Sequence, residues 1–221
     1  MDKPTRRLVV GISGASGAIY GIRLLEILRD VEGIETHLVM TSAARRTIAL
    51  ETRYSPEEIE ALADRQYRFG DLAASISSGS FKTMGMVVVP CSMKTVSGIA
   101  TSYSDNLLLR AADVALKDRR RLVLVVRETP LHLGHLRLMA QVTEMGAIVM
   151  PPVPAFYQHP ESIDDIVNQT VNRVLDLLDI ELDRDLFERW RSPSRARADH
   201  QPSATNPAKT AAVDRADRDD S

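Results

Sequence analysis

The sequence predicts a doubly wound α/β fold with a mainly parallel sheet. Segments with the apolar pattern of strands alternate along the chain with segments that have the periodicity of helices. Two continuous apolar runs, residues 84–89 and 121–126, are typical of parallel strands that are covered on both faces. A glycine-rich stretch, GISGASG at residues 11–17, joins a short apolar run to an amphipathic one, as the turn of a strand–turn–helix unit does.

The first half of the chain supplies three predicted strands. In order, its elements are a strand (7–10), a helix (18–29), a strand (35–40), a helix (42–51), a helical piece (56–65) and a strand (84–89). Ser42 is the predicted N-cap of its helix. Residues 71–83 are rich in small and hydroxyl side chains and are predicted to form a loop or mobile lid. Pro90 is expected to end the strand before it.

The second half continues the alternation and then changes character. Its elements are a helix (105–118), a strand (121–126), a helix (136–146), a strand (147–150), a proline-rich connection (151–154) and a long helix (162–178). From about residue 192 the composition shifts to Ser, Pro, Ala, Arg and Asp, with almost no large apolar residues. We therefore predict one domain at residues 1–191 and a disordered polar tail at residues 192–221.

Composition and charge restrict the class of protein. A chain of 221 residues with 44% hydrophobic residues is long enough to bury one substantial core. Its 28 basic and 30 acidic residues give a net charge of −2, which provides no general positive field for nucleic acid or an anionic membrane. Cys91 is the single cysteine, which excludes an internal disulfide. The apolar runs are shorter than the ~20 residues of a membrane span, and we expect a cytoplasmic protein.

The glycine-rich turn is expected to bind an anion. The first backbone N–H groups of the following helix lack partners within the helix and lie at the positive end of its dipole. A phosphate fits there without a metal, and Ser16 adds a hydroxyl. Ser13 breaks the Gly-x-Gly-x-x-Gly fingerprint of dinucleotide sites, so the sequence favours a mononucleotide phosphate over NAD. The alternative is a turn that only packs a helix on the sheet.

The residues that directly follow the predicted strands include many polar ones. Ligands of open parallel sheets bind outside the carboxyl ends of the strands, so these residues are expected to converge at one edge. They are Gly14, Ala15, Ser16, Thr41, Ser42, Cys91, Ser92, Met93, Lys94, Thr95, Arg127 and Glu128. Hydroxyls, backbone turns, a lysine and an Arg–Glu pair at one edge suit a phosphorylated planar cofactor.

Further cations suggest a second anion. Arg110 and Lys117 are seven residues apart on one predicted helix, so both project from the same side. Arg127 lies at the end of an apolar strand, and Arg173 lies on the long helix that follows Tyr157. For each of these residues taken alone, the alternative is a solvated surface charge.

Other candidate residues have weaker support. His132 and His135 have the spacing of metal ligands, but no third ligand is evident. Asp164 and Asp165 resemble part of a magnesium-binding motif, although acids are expected in the first turn of a helix. Cys91 is either a nucleophile or, more commonly at such a position, a small buried thiol.

Six segments, taken in order, are characteristic: GISGASGAIYG (11–21), SISSGS (75–80), PCS (90–92), RAADVALK (110–117), VRETPL (126–131) and PPVPAFY (151–157). Together they resemble the UbiX flavin prenyltransferase family over about residues 7–190. The resemblance implies a Rossmann-like or flavodoxin-like three-layer subunit that binds FMN. It also implies transfer of a dimethylallyl group from dimethylallyl phosphate, which builds a fourth ring on the flavin. The product, prenylated FMN, would serve UbiD-type decarboxylases, including the one of the ubiquinone pathway.

The resemblance also implies roles for individual residues and an assembly. Flavin contacts are implied for Gly14, Ala15, Ser16, Thr41, Ser92, Met93, Lys94, Thr95 and Arg127. Contacts with the substrate phosphate are implied for Lys117, Arg127, Tyr157 and Arg173, to which the helix spacing adds Arg110. Catalytic roles are implied for Ser16, Glu51, Glu128 and Lys117. A homo-oligomer, a dodecamer, is implied, with sites at subunit contacts that residues after Val153 of a neighbouring copy complete.

The residue types suit that reaction. A monophosphate is a poor leaving group and the sequence has no metal motif, so departure of the phosphate needs cations and a proton. Arg and Lys supply charge, and Glu51 or Glu128 moves protons, with burial between apolar strands expected to raise a Glu pKa towards neutrality. One departure from the family lies at Thr41-Ser42, where many members have Ser-Lys; the hydroxyl is kept and a charge is dropped.

Two rival functions remain open from the sequence. A flavin-dependent decarboxylase of cysteine-containing substrates shares the fold, but that family uses a base histidine and a Pro-x-Met-Asn segment. This chain has Pro90-Cys91-Ser92-Met93-Lys94 instead. A non-catalytic flavin carrier would need the strand-end edge but not the second set of cations.

Overall fold

The computed structural model describes residues 5–187, and within them six strands form one parallel sheet. The strands are β1 (Arg6–Ile12), β2 (Ile34–Met40), β3 (Arg65–Tyr67), β4 (Gly85–Cys91), β5 (Arg121–Val126) and β6 (Ile148–Val149). Their order across the sheet is β3-β2-β1-β4-β5-β6, and every pair is parallel. The predicted doubly wound α/β fold is confirmed. The tail predicted at residues 192–221 lies outside the described residues.

Helices cover both faces of the sheet. They are α1 (Ala18–Leu28), α2 (Ser42–Glu51), α3 (Pro56–Glu60), α4 (Met93–Ala100), α5 (Leu107–Lys117), α6 (Leu133–Glu144) and α7 (Ile163–Leu177). Side chains of β1 point alternately to the two faces, as the twofold repeat of a strand requires. Leu8 and Val10 pack with α1, α2, α3 and α7, whereas Val9 packs with α4, α5 and α6.

The order of the strands fixes where a ligand binds. The chain runs outward from β1 to β2 and β3 and then returns to place β4 on the other side of β1. The reversal between β1 and β4 is the switch point of a doubly wound sheet, and a crevice opens there beyond the carboxyl ends of the strands. In the described part of the chain, no helix is long and apolar enough to cross a membrane.

Two elements after α2, and the N-cap of α2 itself, differ from the prediction. The predicted helix at 56–65 ends at Glu60 as α3, and residues 65–67 form the edge strand β3 instead. This strand is short and largely polar, so it lacks the apolar alternation by which strands are recognised. Thr41, not Ser42, is the N-cap of α2, and its side chain accepts a hydrogen bond from the N–H of Ala44.

The segment around Pro90 also differs from the prediction. β4 does not stop before Pro90 but continues to Cys91, and the register with β5 shifts between Val88 and Cys91. The helix α4 begins directly afterwards with Ser92 as its N-cap and was not predicted. Its first turn lies in the stretch that the sequence identified only as a strand end.

Residues 71–83 were predicted to form a loop or mobile lid, and they are tied to the domain at several points. Ile76 is buried, and residues Ser75–Ser77 form a 3-10 turn. The Tyr67 hydroxyl lies 2.9 Å from the Ser75 hydroxyl. The guanidinium of Arg120 donates to the carbonyl oxygens of Gly79 at 2.6 Å and of Phe81 at 2.8 Å. The segment is therefore a tethered loop.

Candidate active site

A buried serine joins the two strands at the switch point. The Ser13 hydroxyl donates to the carbonyl oxygen of Pro90 at 2.9 Å and accepts from the N–H of Ser92 at 2.7 Å. Ser13 is 1% exposed, so these contacts are shielded from water. The backbone N–H of Ser13 also donates to the carbonyl oxygen of Pro90, at 3.2 Å. Ser13 thereby fixes the glycine-rich turn relative to the start of α4.

Beyond this junction lies a cavity of about 660 Å³, a volume within the usual range of small-molecule sites. It is bounded by the starts of α2, α4 and α5. The lining residues are Gly14, Thr41, Ser42, Ala43, Arg46, Phe69, Ser92, Lys94, Thr95, Ser97, Gly98, Thr101, Tyr103, Asp105, Asn106, Leu108 and Leu109. Five residues with predicted flavin contacts are among them, namely Gly14, Thr41, Ser92, Lys94 and Thr95. The contribution of the segment from residue 97 to 109 was not foreseen.

Two capped helix N-termini open into the cavity. At α2 the Thr41 hydroxyl accepts from the N–H of Ala44 at 3.0 Å, and at α4 the Ser92 hydroxyl accepts from the N–H of Thr95 at 3.3 Å. Each cap leaves other first-turn N–H groups without an intrahelical partner, so both ends favour a negatively charged ligand. Gly14 lies against α2, where an added Cβ would be 2.3 Å from the Cβ of Ala43. Only glycine permits this close approach.

The N-terminus of α1 is different, because a carboxylate of the chain already lies there. Glu51 Oε2 accepts from the N–H groups of Gly17 at 2.8 Å and of Ala18 at 3.3 Å, and the Ser16 hydroxyl donates to the same carboxylate. These two N–H groups are therefore occupied by Glu51, whereas the sequence predicted that they bind a phosphate. The sequence could not show this, because Glu51 comes from the far end of α2.

Hydrogen bonding determines the charge of Glu51. Partial desolvation raises the pKa of Glu51, but the hydrogen bonds from Ser16, Gly17 and Ala18 together with the charge of Arg127 bring the pKa below its ordinary value. The expected increase of a Glu pKa by burial is thus reversed at Glu51. At neutral pH this side chain is therefore ionised.

Arg127 extends the Glu51 cluster towards the end of β5. Its charge acts on both Glu51 and Tyr20, while burial raises the pKa of the Tyr20 hydroxyl. Glu128, next in sequence, is exposed, and its Oε1 accepts from the N–H of Thr129 at 3.0 Å. Glu128 is therefore not held between apolar strands as expected. Tyr20 was missed, since nothing in the sequence distinguishes it from the other residues of an amphipathic helix.

Four of the predicted flavin residues, Ala15, Ser16, Met93 and Arg127, are not among the described residues that line the cavity. Ala15 and Met93 are 8% and 7% exposed, and both belong to the core of the domain. At these positions only the backbone is available to a ligand. This agrees with their places in a turn and in the first turn of α4.

Arg110 and Lys117 lie on one side of α5, against the loop at residues 75–80. Arg110 donates to the carbonyl oxygen of Ser77 at 3.1 Å and forms an ion pair with Asp113 at 2.7 Å. Lys117 forms an ion pair with Asp118 at 2.7 Å, which lowers the pKa of that carboxyl. Both cations are thus neutralised within the chain, and neither lines the cavity.

Arg173 and Tyr157 lie elsewhere. Arg173, on α7, forms an ion pair with Asp176 at 2.9 Å. Tyr157 is half-exposed on the 3-10 turn Phe156–Gln158. Neither residue is among the described residues that line the cavity, so one copy of the chain does not unite them with it.

The weaker candidates have structural roles. His132 caps α6, with its Nδ1 accepting from the N–H of Gly134 at 3.0 Å, and its ring lies 3.6 Å from that of His135. Over residues 5–187 no group of three or more metal-ligating side chains is present. Asp165 belongs to the capping box of α7. Cys91 is fully buried, and burial raises the pKa of its thiol, which keeps the thiol protonated.

Comparisons with known proteins give a consistent result. A family model described as Flavoprotein matches residues 1–175. A protein of Escherichia coli (strain K12) named flavin prenyltransferase UbiX is 68% identical over 186 residues, which cover 84% of this chain and 98% of that protein. A protein of the same name from Thauera aromatica is 60% identical over 184 residues, which cover 83% of this chain and 93% of that protein.

Comparison with solved structures gives the same result as comparison of sequences. A crystal structure of AnUbiX (PadA1) in complex with FMN and dimethylallyl pyrophosphate superposes with a TM-score of 0.82 at 53% identity, covering 85% of this chain and 98% of that one. A dodecameric FMN-dependent UbiX-like decarboxylase from Escherichia coli O157:H7 gives a TM-score of 0.80 at 52% identity, covering 84% and 99%.

Proposed function

The chain belongs to the UbiX flavin prenyltransferases of the flavoprotein family, and from this premise we propose that it transfers a dimethylallyl group from dimethylallyl phosphate to reduced FMN. The observation that supports this most strongly is the cavity at the β1–β4 switch point, into which two capped helix N-termini open. Its volume, hydroxyls and cations suit a flavin mononucleotide.

Within this site the flavin phosphate lies at the starts of α2 and α4. Thr41, Ser92, Lys94 and Thr95 provide hydroxyl, ammonium and first-turn N–H groups there. The turn at Gly14, Ala15 and Ser16, together with Arg127 and the backbone of Met93, borders the flavin ring. The α1 terminus is unsuited to the phosphate, because the carboxylate of Glu51 already accepts its N–H groups.

The substrate phosphate binds where copies of the chain meet. Arg110, Lys117, Tyr157 and Arg173 do not line the cavity of their own chain, so a neighbouring copy supplies some of them, while Arg127 comes from the flavin edge. Val153 and Phe156 are 71% and 70% exposed beside Tyr157, as expected of a segment that packs on another copy. The dodecameric relative supports an assembly of the same kind for this chain.

The protein residues divide the work of the reaction. Reduced FMN, when bound, would supply the nucleophilic ring atoms. One flavin–carbon bond would form as the bond from the prenyl carbon to the phosphate oxygen breaks. The second would form by addition of a flavin ring carbon across the allylic double bond, with one proton gained by the prenyl group and one lost by the ring. Arg and Lys stabilise the negative charge of the departing phosphate. Glu51, ionised and hydrogen-bonded to Ser16, accepts a proton, while Glu128 delivers one to the phosphate. The prenylated FMN then passes to a UbiD-type decarboxylase, with ubiquinone synthesis the expected setting.

The test is to incubate the purified protein with FMN, dithionite and dimethylallyl phosphate and to measure the mass of the flavin. A mass increase of one five-carbon prenyl unit is expected. Unchanged flavin that stays bound would indicate a carrier, and release of carbon dioxide from a cysteine-containing peptide would indicate the rival decarboxylase. A parallel reaction with dimethylallyl pyrophosphate, the molecule bound in AnUbiX, shows which phosphate ester is used.

A further inference from the structure

We propose that Arg46, which neither the sequence motifs nor the family resemblance singles out, binds the phosphate of the flavin. Arg46 lies on α2 and lines the 660 Å³ cavity together with Thr41 and Ser42 of the same helix start. The proposal rests on the proposed function insofar as the cavity holds FMN. It concerns the one ligand group, a phosphate dianion, that an arginine beside a helix N-terminus recognises best.

Arg46 differs from its neighbour Arg45 in its ion pairs. Arg45 forms ion pairs with Glu57 at 3.7 Å and, more closely, with Glu60. The side chain of Arg46, which lines the cavity, makes no hydrogen bond or ion pair with any residue in the range 5–187. The chain thus neutralises one of two adjacent arginines and leaves the cavity-lining one available to a ligand.

Other cations of the site also differ in whether a carboxylate of the chain pairs with them. Arg110, Lys117 and Arg173, three of the four cations predicted from the sequence to hold a second anion, each have a carboxylate partner in the chain. Lys94, which also lines the cavity, has none among the described residues. Of these five cations, Arg46 and Lys94 line the cavity, and within the described residues these two have no carboxylate partner.

The position of Arg46 relative to Ser42 is also favourable. Four residues separate them, so their side chains lie on the same face of α2, one turn apart. The N–H groups of the first turn of α2 point to the space that this face borders. A phosphate at the helix end can therefore accept from backbone N–H groups and from the guanidinium of Arg46 at once. Arginine adds paired, parallel donors that match phosphate oxygens.

The experiment compares FMN with riboflavin, which lacks the phosphate, by quenching of flavin fluorescence. Arg46→Ala is expected to weaken FMN binding about tenfold or more while riboflavin binding stays unchanged, because a charge-assisted contact is lost. Arg45→Ala is the matched control, since it removes the same charge one residue away but outside the cavity. Ser42→Lys in the Arg46→Ala background should restore much of the FMN affinity, as position 42 lines the same cavity.

Each other outcome overturns the proposal. Unchanged FMN affinity in Arg46→Ala would mean that Arg46 is a surface charge. An equal loss for FMN and riboflavin would mean that it supports the cavity and not the phosphate. If FMN affinity holds and only the KM for dimethylallyl phosphate rises, the phosphate at Arg46 is that of the substrate. Failure of the proposed function is distinct, since wild-type protein would then bind FMN without prenylating it, or bind no flavin at all.

Discussion

Replacing Glu51 by Gln separates the charge of this side chain from its size. The amide oxygen can still accept from the N–H groups of Gly17 and Ala18, but the negative charge at the N-terminus of α1 is lost. Because Glu51 is exposed, screening limits the stability cost to about 0.3–1 kcal/mol. For a domain of this size such a loss lowers Tm by no more than about 4 °C. The proton acceptor is lost entirely, so single-turnover prenylation should slow by about 100-fold or more.

The pH dependence of stability has a definite sign. The pKa of Glu51 is lower in the folded protein than its ordinary value of 4.5. The ionised side chain therefore stabilises the fold above that ordinary value, and this contribution disappears as the pH falls through the folded pKa. The Tm of the wild type should therefore exceed that of Glu51→Gln at neutral pH, and the two Tm values should become equal in acid.

Asp165 provides a matched control for Glu51. Its carboxylate accepts from the N–H groups of Ser162 at 2.9 Å and of Glu161 at 3.0 Å, and the hydrogen bond from the Ser162 side chain is the main cause of its lowered pKa. Asp165→Asn should lose similar stability and leave prenylation unchanged. Prenylation by Glu51→Gln at the wild-type rate, or an equal slowing in Asp165→Asn, would refute the assignment of Glu51 as proton acceptor.

The remaining predictions concern the substrate phosphate, the second glutamate and the strand junction. Arg173→Ala should retain FMN but lose prenylation at moderate dimethylallyl phosphate, with partial rescue at high concentration; normal prenylation at low substrate would contradict the role of Arg173. Glu128→Gln should lower kcat even at saturating substrate, and a change in KM alone would argue against a proton donor. Ser13→Ala leaves the N–H of Ser92 without its acceptor, which costs about 1–3 kcal/mol, and it should weaken FMN binding measured well below Tm. Thr36→Ala, which removes another buried hydroxyl away from the cavity, should destabilise the protein without changing FMN affinity.

The parallel α/β sheet could be predicted from the sequence, because its central strands contain continuous apolar runs. β4 and β5 were recognised for that reason, and the convergence of their ends with the glycine-rich turn followed from parallel pairing. The edge strand β3 was missed, since three partly exposed residues leave no hydrophobic pattern. The helix α4 was missed because its first turn coincides with the polar stretch after a strand.

The functional contacts that the sequence did not predict depend on distant segments. Glu51 is 34 residues from Gly17, and only the packing of α2 beside α1 brings its carboxylate to that N–H group. Arg46 and Arg45 are indistinguishable in sequence, and their contacts differ because Glu57 and Glu60 pair with Arg45. Likewise, the cations expected to share an anion proved to be dispersed over one copy of the chain. Which charged side chains contact each other, and where they lie, is determined by the tertiary structure and the assembly and cannot be read from the sequence.

The most direct test of a prenylation site shared between copies is complementation. Glu51→Gln and Arg173→Ala, each inactive at low substrate, are coexpressed so that mixed oligomers form, and the mass of the flavin product is followed. If a neighbouring copy supplies Arg173, about a quarter of the sites in a random equal mixture contain neither substitution, and prenylation should return to that extent. No recovery of prenylated FMN in verified mixed oligomers would show that Glu51 and Arg173 act within one chain, or that the site does not require both.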